Sequence, residues 1–197
     1  MFAFVAAAAA SFTSPHVVNL DSWFVGFGAR PKEGTLTLIA SETVVDRKGK
    51  PETCSAKTML GMADWAAFTC QLILRRGQFR AAKIGDQKVY GVFRLRNVWV
   101  QSGYPPNDLP VWDFQLTVNK SPPGVRLPQL KKIQFIVDQA GHITDCAADG
   151  DWNAELAALA CSELPKMKLI QPARNSAGEA VTSVQDAAVR FLAAGPK

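Results

Sequence analysis

Four cysteines are the residues of this chain whose type and spacing most readily suggest chemistry. Cys54 and Cys70 lie sixteen residues apart, and Cys146 and Cys161 lie fifteen apart. Zinc sites use Cys-x-x-Cys or closely set Cys and His ligands, which this spacing does not match. Disulfides are the expected state in an exported protein, although four cysteines allow three pairings and buried free thiols are an alternative.

Catalytic motifs are missing from the sequence. It contains no G-x-S-x-G, no H-E-x-x-H and no phosphate-binding loop. The two histidines, His16 and His142, are isolated, and His142 falls in a predicted turn. We therefore predict that the protein is not an enzyme and uses no metal and no cofactor.

The basic charge of the chain is mild, with a net charge of +5. The first half interleaves Arg and Lys with Phe79, Phe93 and Trp99, a mixture that could stack on single-stranded nucleic acid. Strands alternate polar and apolar residues for packing reasons alone, and export separates a protein from nucleic acid. We predict no nucleic-acid partner.

Residues 1–11 form an Ala-rich apolar stretch. The stretch is far shorter than the ~20 residues that a membrane-spanning helix needs. Its length and small residues are typical of a signal peptide, although no Lys or Arg precedes it. We predict a leader over 1–11, a periplasmic location and no transmembrane helix in the mature chain. The alternative is a first helix of the fold.

An internal repeat organises the rest of the chain. The segment 44–54 matches 136–146 at Val, Asp, Gly and Cys positions, with an offset of 92 residues. Three later blocks recur in the same order, all with an offset of 91. We predict two units, over 12–101 and 102–197. If each unit closes its own disulfide, the pairs are Cys54–Cys70 and Cys146–Cys161.

Each unit is predicted to have the order strand, strand, helix, strand. Leu36–Val45 has strand composition, and the Asp-x-x-Gly that follows is a turn signal. The Ala- and Leu-rich stretches 64–74 and 153–164 predict helices capped by Asp64 and Asn153. Final strands are predicted over 90–100 and 181–192. Val111–Val118 predicts one more strand, with a counterpart over Val17–Phe27. The expected fold class is α+β, with two small antiparallel sheets that each carry one helix.

This order of motifs resembles the C-terminal domain of the energy transducer TonB, in a two-cysteine form. The residues that carry the resemblance in the second copy are Asp138, Gly141, Cys146, Leu156, Cys161, Pro172, Ala173, Gly178 and Val189. In the first copy, Ala81 stands where the family has Pro, which makes that copy the weaker match. The resemblance covers nearly all of the chain after the leader.

The resemblance implies a periplasmic protein that binds a protein or peptide by adding a strand to a sheet edge. In the family the partner is an outer-membrane TonB-dependent transporter. A homodimer formed by strand exchange is also possible. The last strands would bind the partner through Tyr90, Val92, Arg94, Arg96, Val98, Val181, Val184, Val189 and Phe191.

The chain lacks the Pro-rich arm and membrane helix of an energy transducer. The alternative is therefore a periplasmic paralogue with a structural or cell-envelope role and no energy transduction.

Overall fold

The computed structural model of this protein describes residues 11–25, 35–100, 109–167 and 170–194. The predicted leader, apart from Ser11, and the predicted boundary between the units lie outside these ranges. The helices are α1 (Leu20–Trp23), α2 (Trp65–Arg76) and α3 (Ala154–Glu163), the last followed by a 3-10 turn (Leu164–Lys166). The strands are β1 (Phe12–Thr13), β2 (His16–Val17), β3 (Leu36–Val45), β4 (Pro51–Leu60), β5 (Phe79–Arg80), β6 (Ala82–Ile84), β7 (Gln87–Val100), β8 (Phe114–Val118), β9 (Gln129–Val137), β10 (Ile143–Ala148), β11 (Ala173–Arg174), β12 (Ala180–Val181) and β13 (Ser183–Ala193).

Each repeat contributes an antiparallel three-strand unit, in the order β4-β3-β7 in the first half and β10-β9-β13 in the second. The hairpins close by the predicted turn chemistry. The Asp46 carboxylate accepts hydrogen bonds from the backbone N–H groups of Lys48 and Lys50, and the Asp138 carboxylate accepts one from that of His142. Gly49, at a φ of 84°, supplies the left-handed residue that the first turn needs.

The predicted fold class is wrong, because the two units share one sheet. The described residues form a mixed nine-stranded sheet rather than two small ones, and strand content far exceeds helix content. The join is a short parallel pairing of β7 with β13, in which Gly91 lies opposite Val184. Hydrophobic alternation identifies the buried faces of a strand but not its neighbour along the edge. Sequence patterning therefore did not predict this pairing.

The two long helices lie on opposite faces of this sheet. Helix α2 covers the face that holds Ile39 and Trp99, and α3 covers the face that holds Phe135 and Val189. Residues directly opposite in a ladder share a face. Val92 lies on the face of β7 away from Trp99 and α2, and it is opposite Gln185, which lies on the α3 face of β13. The α2 face of the first half therefore continues into the helix-free face of the second.

Each half covers part of the helix-free face of the other. Ala82, which follows α2, packs with Ile136 and Val184 of the second half. In the equivalent segment after α3, the Gln171 carbonyl accepts a hydrogen bond from Gln185 Nε2 of the same half at 3.1 Å. Pro172 and Ala173 of this segment line an open cleft with Val44 and Val92 of the first half. The Ser176 N–H donates to the Glu52 carboxylate at 3.0 Å. This reciprocal packing adds apolar burial between the repeats to the strand pairing.

The N-terminal segment differs from its prediction. A strand was expected over Val17–Phe27, but β2 ends at Val17 and α1 follows. Trp23 of α1 is only 1% exposed, and its ring centroid lies 5.0 Å from that of Phe79. Burial of this indole against the core outweighs the strand propensity of the segment. The expected strand over Val111–Val118 is present in part, as β8, and pairs parallel with β13.

Candidate functional site

Both disulfides form within the repeats, as Cys54–Cys70 and Cys146–Cys161, and this accounts for all four cysteines. Each bridge joins the second hairpin strand of a repeat to its helix. Closing a loop of about fifteen residues stabilises a fold by about 3 kcal/mol in the chain-entropy model. The bridges are structural links, and no thiol is left for nucleophilic chemistry.

The predicted binding residues of the second half are not on a sheet edge, which corrects that expectation. β13 pairs with β9 on one side and with β7 and β8 on the other. Val184, Val189 and Phe191 have no exposed surface and belong to the core. Val181 lies in β12, which pairs with β11. The apolar character that suggested a docking strand reflects the centre of the sheet.

The predicted residues of the first half lie on β7, which is also an inner strand along part of its length. Tyr90 pairs with β13, and Val92 pairs with both β13 and β3. Beyond Val92, β7 pairs only with β3 among the described residues. Arg94, Arg96 and Val98 lie on this part, where β7 diverges from β13.

Arg94 and Arg96 fill the opening between the two halves. Arg94 donates to the Glu42 carboxylate at 2.9 Å, to Gln185 Oε1 at 2.8 Å and to the Asp186 carbonyl. Arg96 donates to the Asp113 carboxylate at 2.6 Å. These guanidinium groups satisfy polar atoms from both repeats, so their contacts are those of a structural connection.

Asp186 is the most perturbed acid of this connection. It is 4% exposed, and its Oδ2 accepts a hydrogen bond from Lys132 at 3.1 Å. Burial raises the pKa of Asp186, and the charges of Lys132 and Arg94 oppose that rise. Its other oxygen, Oδ1, has no hydrogen-bond partner in the described part of the chain. Asp186 also lines an open cleft of about 530 Å³ whose walls include Arg94, Arg96 and Leu130.

Two other strands, β4 and β10, are paired on one side only in the described ranges, as are the short strands β1 and β8. β4 pairs only with β3, and β10 pairs only with β9. β4 is ten residues long and β10 has six. Both pairings contain register shifts, two between β3 and β4 and one between β9 and β10. An unpaired strand edge presents a row of N–H and C=O groups that another strand can pair with.

The helix-free face next to β4 carries two rows of side chains across three strands. Ser55 lies opposite Glu42, which lies opposite Arg94. Lys57 lies opposite Ala40, which in turn lies opposite Arg96. A cavity of about 270 Å³ lies over these residues, and Ser55 and Lys57 are exposed beside the edge. A strand added to β4 would place alternate side chains next to these two.

The sequence pattern placed the binding edge on the last strands and did not identify β4 as an edge. The signal that could have identified this edge is polarity. Pro51–Leu60 has no long apolar run and holds polar residues at alternate positions. No group of His, Cys, Asp and Glu suited to a metal ion occurs in the ranges that the structure covers. No helix there is long and apolar enough to cross a membrane.

No protein-family model, no curated protein and no solved structure matches this chain. The likeness to the TonB C-terminal domain therefore depends on the motif residues alone and stays a prediction.

Proposed function

We propose that this chain is a binding protein of the bacterial cell envelope that takes an extended peptide along the free edge of β4. The observation that carries the proposal is a ten-residue strand that is paired on one side only in the described part of the chain. In strand addition, main-chain hydrogen bonds provide affinity and alternate side chains provide selectivity. The exposed side chains of Ser55 and Lys57 and the cavity beside them support a selective role for this face.

The proposed location depends on the two disulfides. Such bonds persist in oxidising compartments such as the periplasm. The motif resemblance adds one candidate source for the peptide, an outer-membrane TonB-dependent transporter. The binding strand differs from the one that the resemblance implied, because the last strands lie inside the sheet.

Selection of peptides from a random eight-residue display library on the oxidised protein tests this function. We expect selected peptides to shift the backbone amide NMR signals of Thr53–Thr58 and to leave those of the central strand β13 unchanged. Proline substitution at two consecutive positions, Ser55→Pro and Ala56→Pro, then tests the pairing. Alternate residues of an edge strand donate outward, so one of these two variants removes an outward donor and leaves the ladder with β3 intact.

The matched controls are Ala147→Pro and Ala148→Pro, at the equivalent positions of β10. We expect the folded β4 variant to lose peptide binding and the folded β10 variant to keep it. Selected peptides that map to the 530 Å³ cleft or to β10, or a selection that yields no binder, would rule the proposal out.

A further inference from the structure

The inference concerns the partner and rests on the proposed function of β4. The hairpin that leads into β4 is strongly basic. Residues 46–59 contain four basic and two acidic side chains, a formal charge of +2. The equivalent residues 138–151 of the second repeat contain four acidic side chains and no Lys or Arg, a formal charge of −4 with His142 neutral. The hairpin segments that contain β4 and β10 therefore carry opposite net charge.

The acidic groups of the β4 hairpin are already engaged. The Asp46 carboxylate accepts hydrogen bonds from two backbone N–H groups of its own turn. Glu52 accepts one from the Ser176 N–H of the second repeat. The nearby cations are left without acidic partners inside the hairpin.

Three lysines of this hairpin are exposed and unpaired. The side chains of Lys48, Lys50 and Lys57 make no ion pair and no hydrogen bond within the described ranges. Lys57 lies opposite Ala40 on β3, which offers it no charge. A residue that pairs with Lys57 from an added strand would have its Cβ about 5 Å from that of Lys57.

The edge of β10 differs from that of β4. Asp145 of β10 accepts a hydrogen bond from the Cys146 N–H at 2.8 Å, so one backbone donor of that strand is taken by a side chain. The equivalent residue in β4 is Thr53, which has no carboxylate. Charged side chains and irregular pairing are ways in which proteins protect an edge strand, and irregular pairing occurs in both β4 and β10. β10 is thus a shorter edge with one backbone donor already taken by a carboxylate, whereas β4 is longer and has Thr53 at the equivalent position.

We propose that the β4 edge selects an acidic peptide, one with Glu or Asp at alternate positions on the face of Lys57. The charge of the hairpin and the unpaired lysines identify this chemistry. The β10 edge would repel the same peptide. Because the lysines are exposed, their attraction to the peptide acts at short range and weakens as salt is added.

Three capped eight-residue peptides test the proposal. Each has Val at alternate positions, and Glu, Gln or Lys at the others. Amide signals of Thr53–Thr58 are followed by NMR titration at low and high salt. We expect the Glu peptide to bind about five- to tenfold more tightly than the Gln peptide at low salt, as several exposed ion pairs would give, and the Lys peptide to bind least.

The double variant Lys50→Gln, Lys57→Gln should remove this preference and keep the affinity for the Gln peptide. The control is Lys120→Gln, an exposed lysine outside the hairpin, which should leave the preference unchanged. Both variants change exposed side chains only, so their folding is not at stake.

The outcomes separate the inference from the function. Equal binding of the three peptides along β4 would overturn the acidic preference and leave strand addition in place. If none of the three peptides shifts the amide signals of Thr53–Thr58, the inference fails. The library selection then tests the proposed function separately. Shifts confined to residues 46–50 would mean ion binding without strand pairing, and would overturn the inference. So would concentration-dependent shifts of β4 without peptide, which would identify a second copy of this chain as the occupant.

Discussion

The hairpins β3–β4 and β9–β10 show what the repeat has kept and what it has changed. Both close with the same Asp carboxylate turn, both end in a strand bridged to a helix, and both occupy an outer edge of the described sheet. Their charges are nevertheless opposite, and their strands differ in length. The residues that determine the backbone are constant, whereas those that an incoming strand would meet are not. Structure and recognition are therefore carried by separate positions of one motif.

Removing the disulfides should produce the largest effect and test whether the repeats are equally stabilised. The double variants Cys54→Ala, Cys70→Ala and Cys146→Ala, Cys161→Ala should each lose about 3 kcal/mol of unfolding free energy in a urea titration, because their loops are nearly the same length. Losses that differ severalfold would show that one bridge also stabilises contacts that the other does not.

Substitution of the turn glycine should destabilise the first hairpin more than the second. A Cβ on Gly49 would lie 2.1 Å from the Phe79 carbonyl oxygen, whereas one on Gly141 would lie 3.1 Å from Pro172 Cδ. Both glycines have positive φ, so each Ala variant carries backbone strain as well. We expect Gly49→Ala to cost at least about 2 kcal/mol and Gly141→Ala about 1 kcal/mol in chemical unfolding. Equal costs would mean that the Phe79 segment moves freely.

Removal of the helix cap should destabilise the second repeat more than the first. The Asn153 side chain accepts hydrogen bonds from the N–H groups of Glu155 and Leu156, whereas Asp64 makes no such bond at the start of α2. Asn153→Ala should therefore destabilise the protein by about 1 kcal/mol, and Asp64→Ala by much less. Thermal unfolding of both variants against the unchanged protein measures this. An equal loss for Asp64→Ala would indicate that its charge matters without a cap bond.

The pH dependence at the junction should be the smallest effect. Asp186 has a folded-state pKa above its usual 3.8. The stability that it contributes is therefore fully present below that value and is lost as pH rises through the folded pKa. Asp186→Asn removes this dependence. We expect the unfolding free energy of the Asp186→Asn variant, relative to that of the unchanged protein, to increase from pH 4 to pH 7. Glu42→Gln, whose side chain is half exposed, is the control. A difference that does not change with pH would contradict the assignment.

Local chemistry in the sequence predicted the repeat unit well. Leu36–Val45 is a strand as expected, the Asp-x-x-Gly turns and the Asn153 cap form, and each repeat closes its own disulfide. These features depend on contacts within about fifteen residues. The candidate edge was not predicted, because the apolar pattern of Val184 to Phe191 looks the same in an outer strand and in a buried central one.

The hairpin, the helix and the bridge of each repeat follow from local residue types, since turn residues, caps and cysteines act on neighbours along the chain. The pairing of β7 with β13 is a property of the tertiary structure, and it leaves β4 and β10 paired on one side only in the described ranges. That pairing depends on backbone hydrogen bonds between strands some ninety residues apart and on apolar cover exchanged between the repeats. Backbone hydrogen bonds are the same for every residue type except proline, so the amino-acid pattern of a strand does not specify its neighbour.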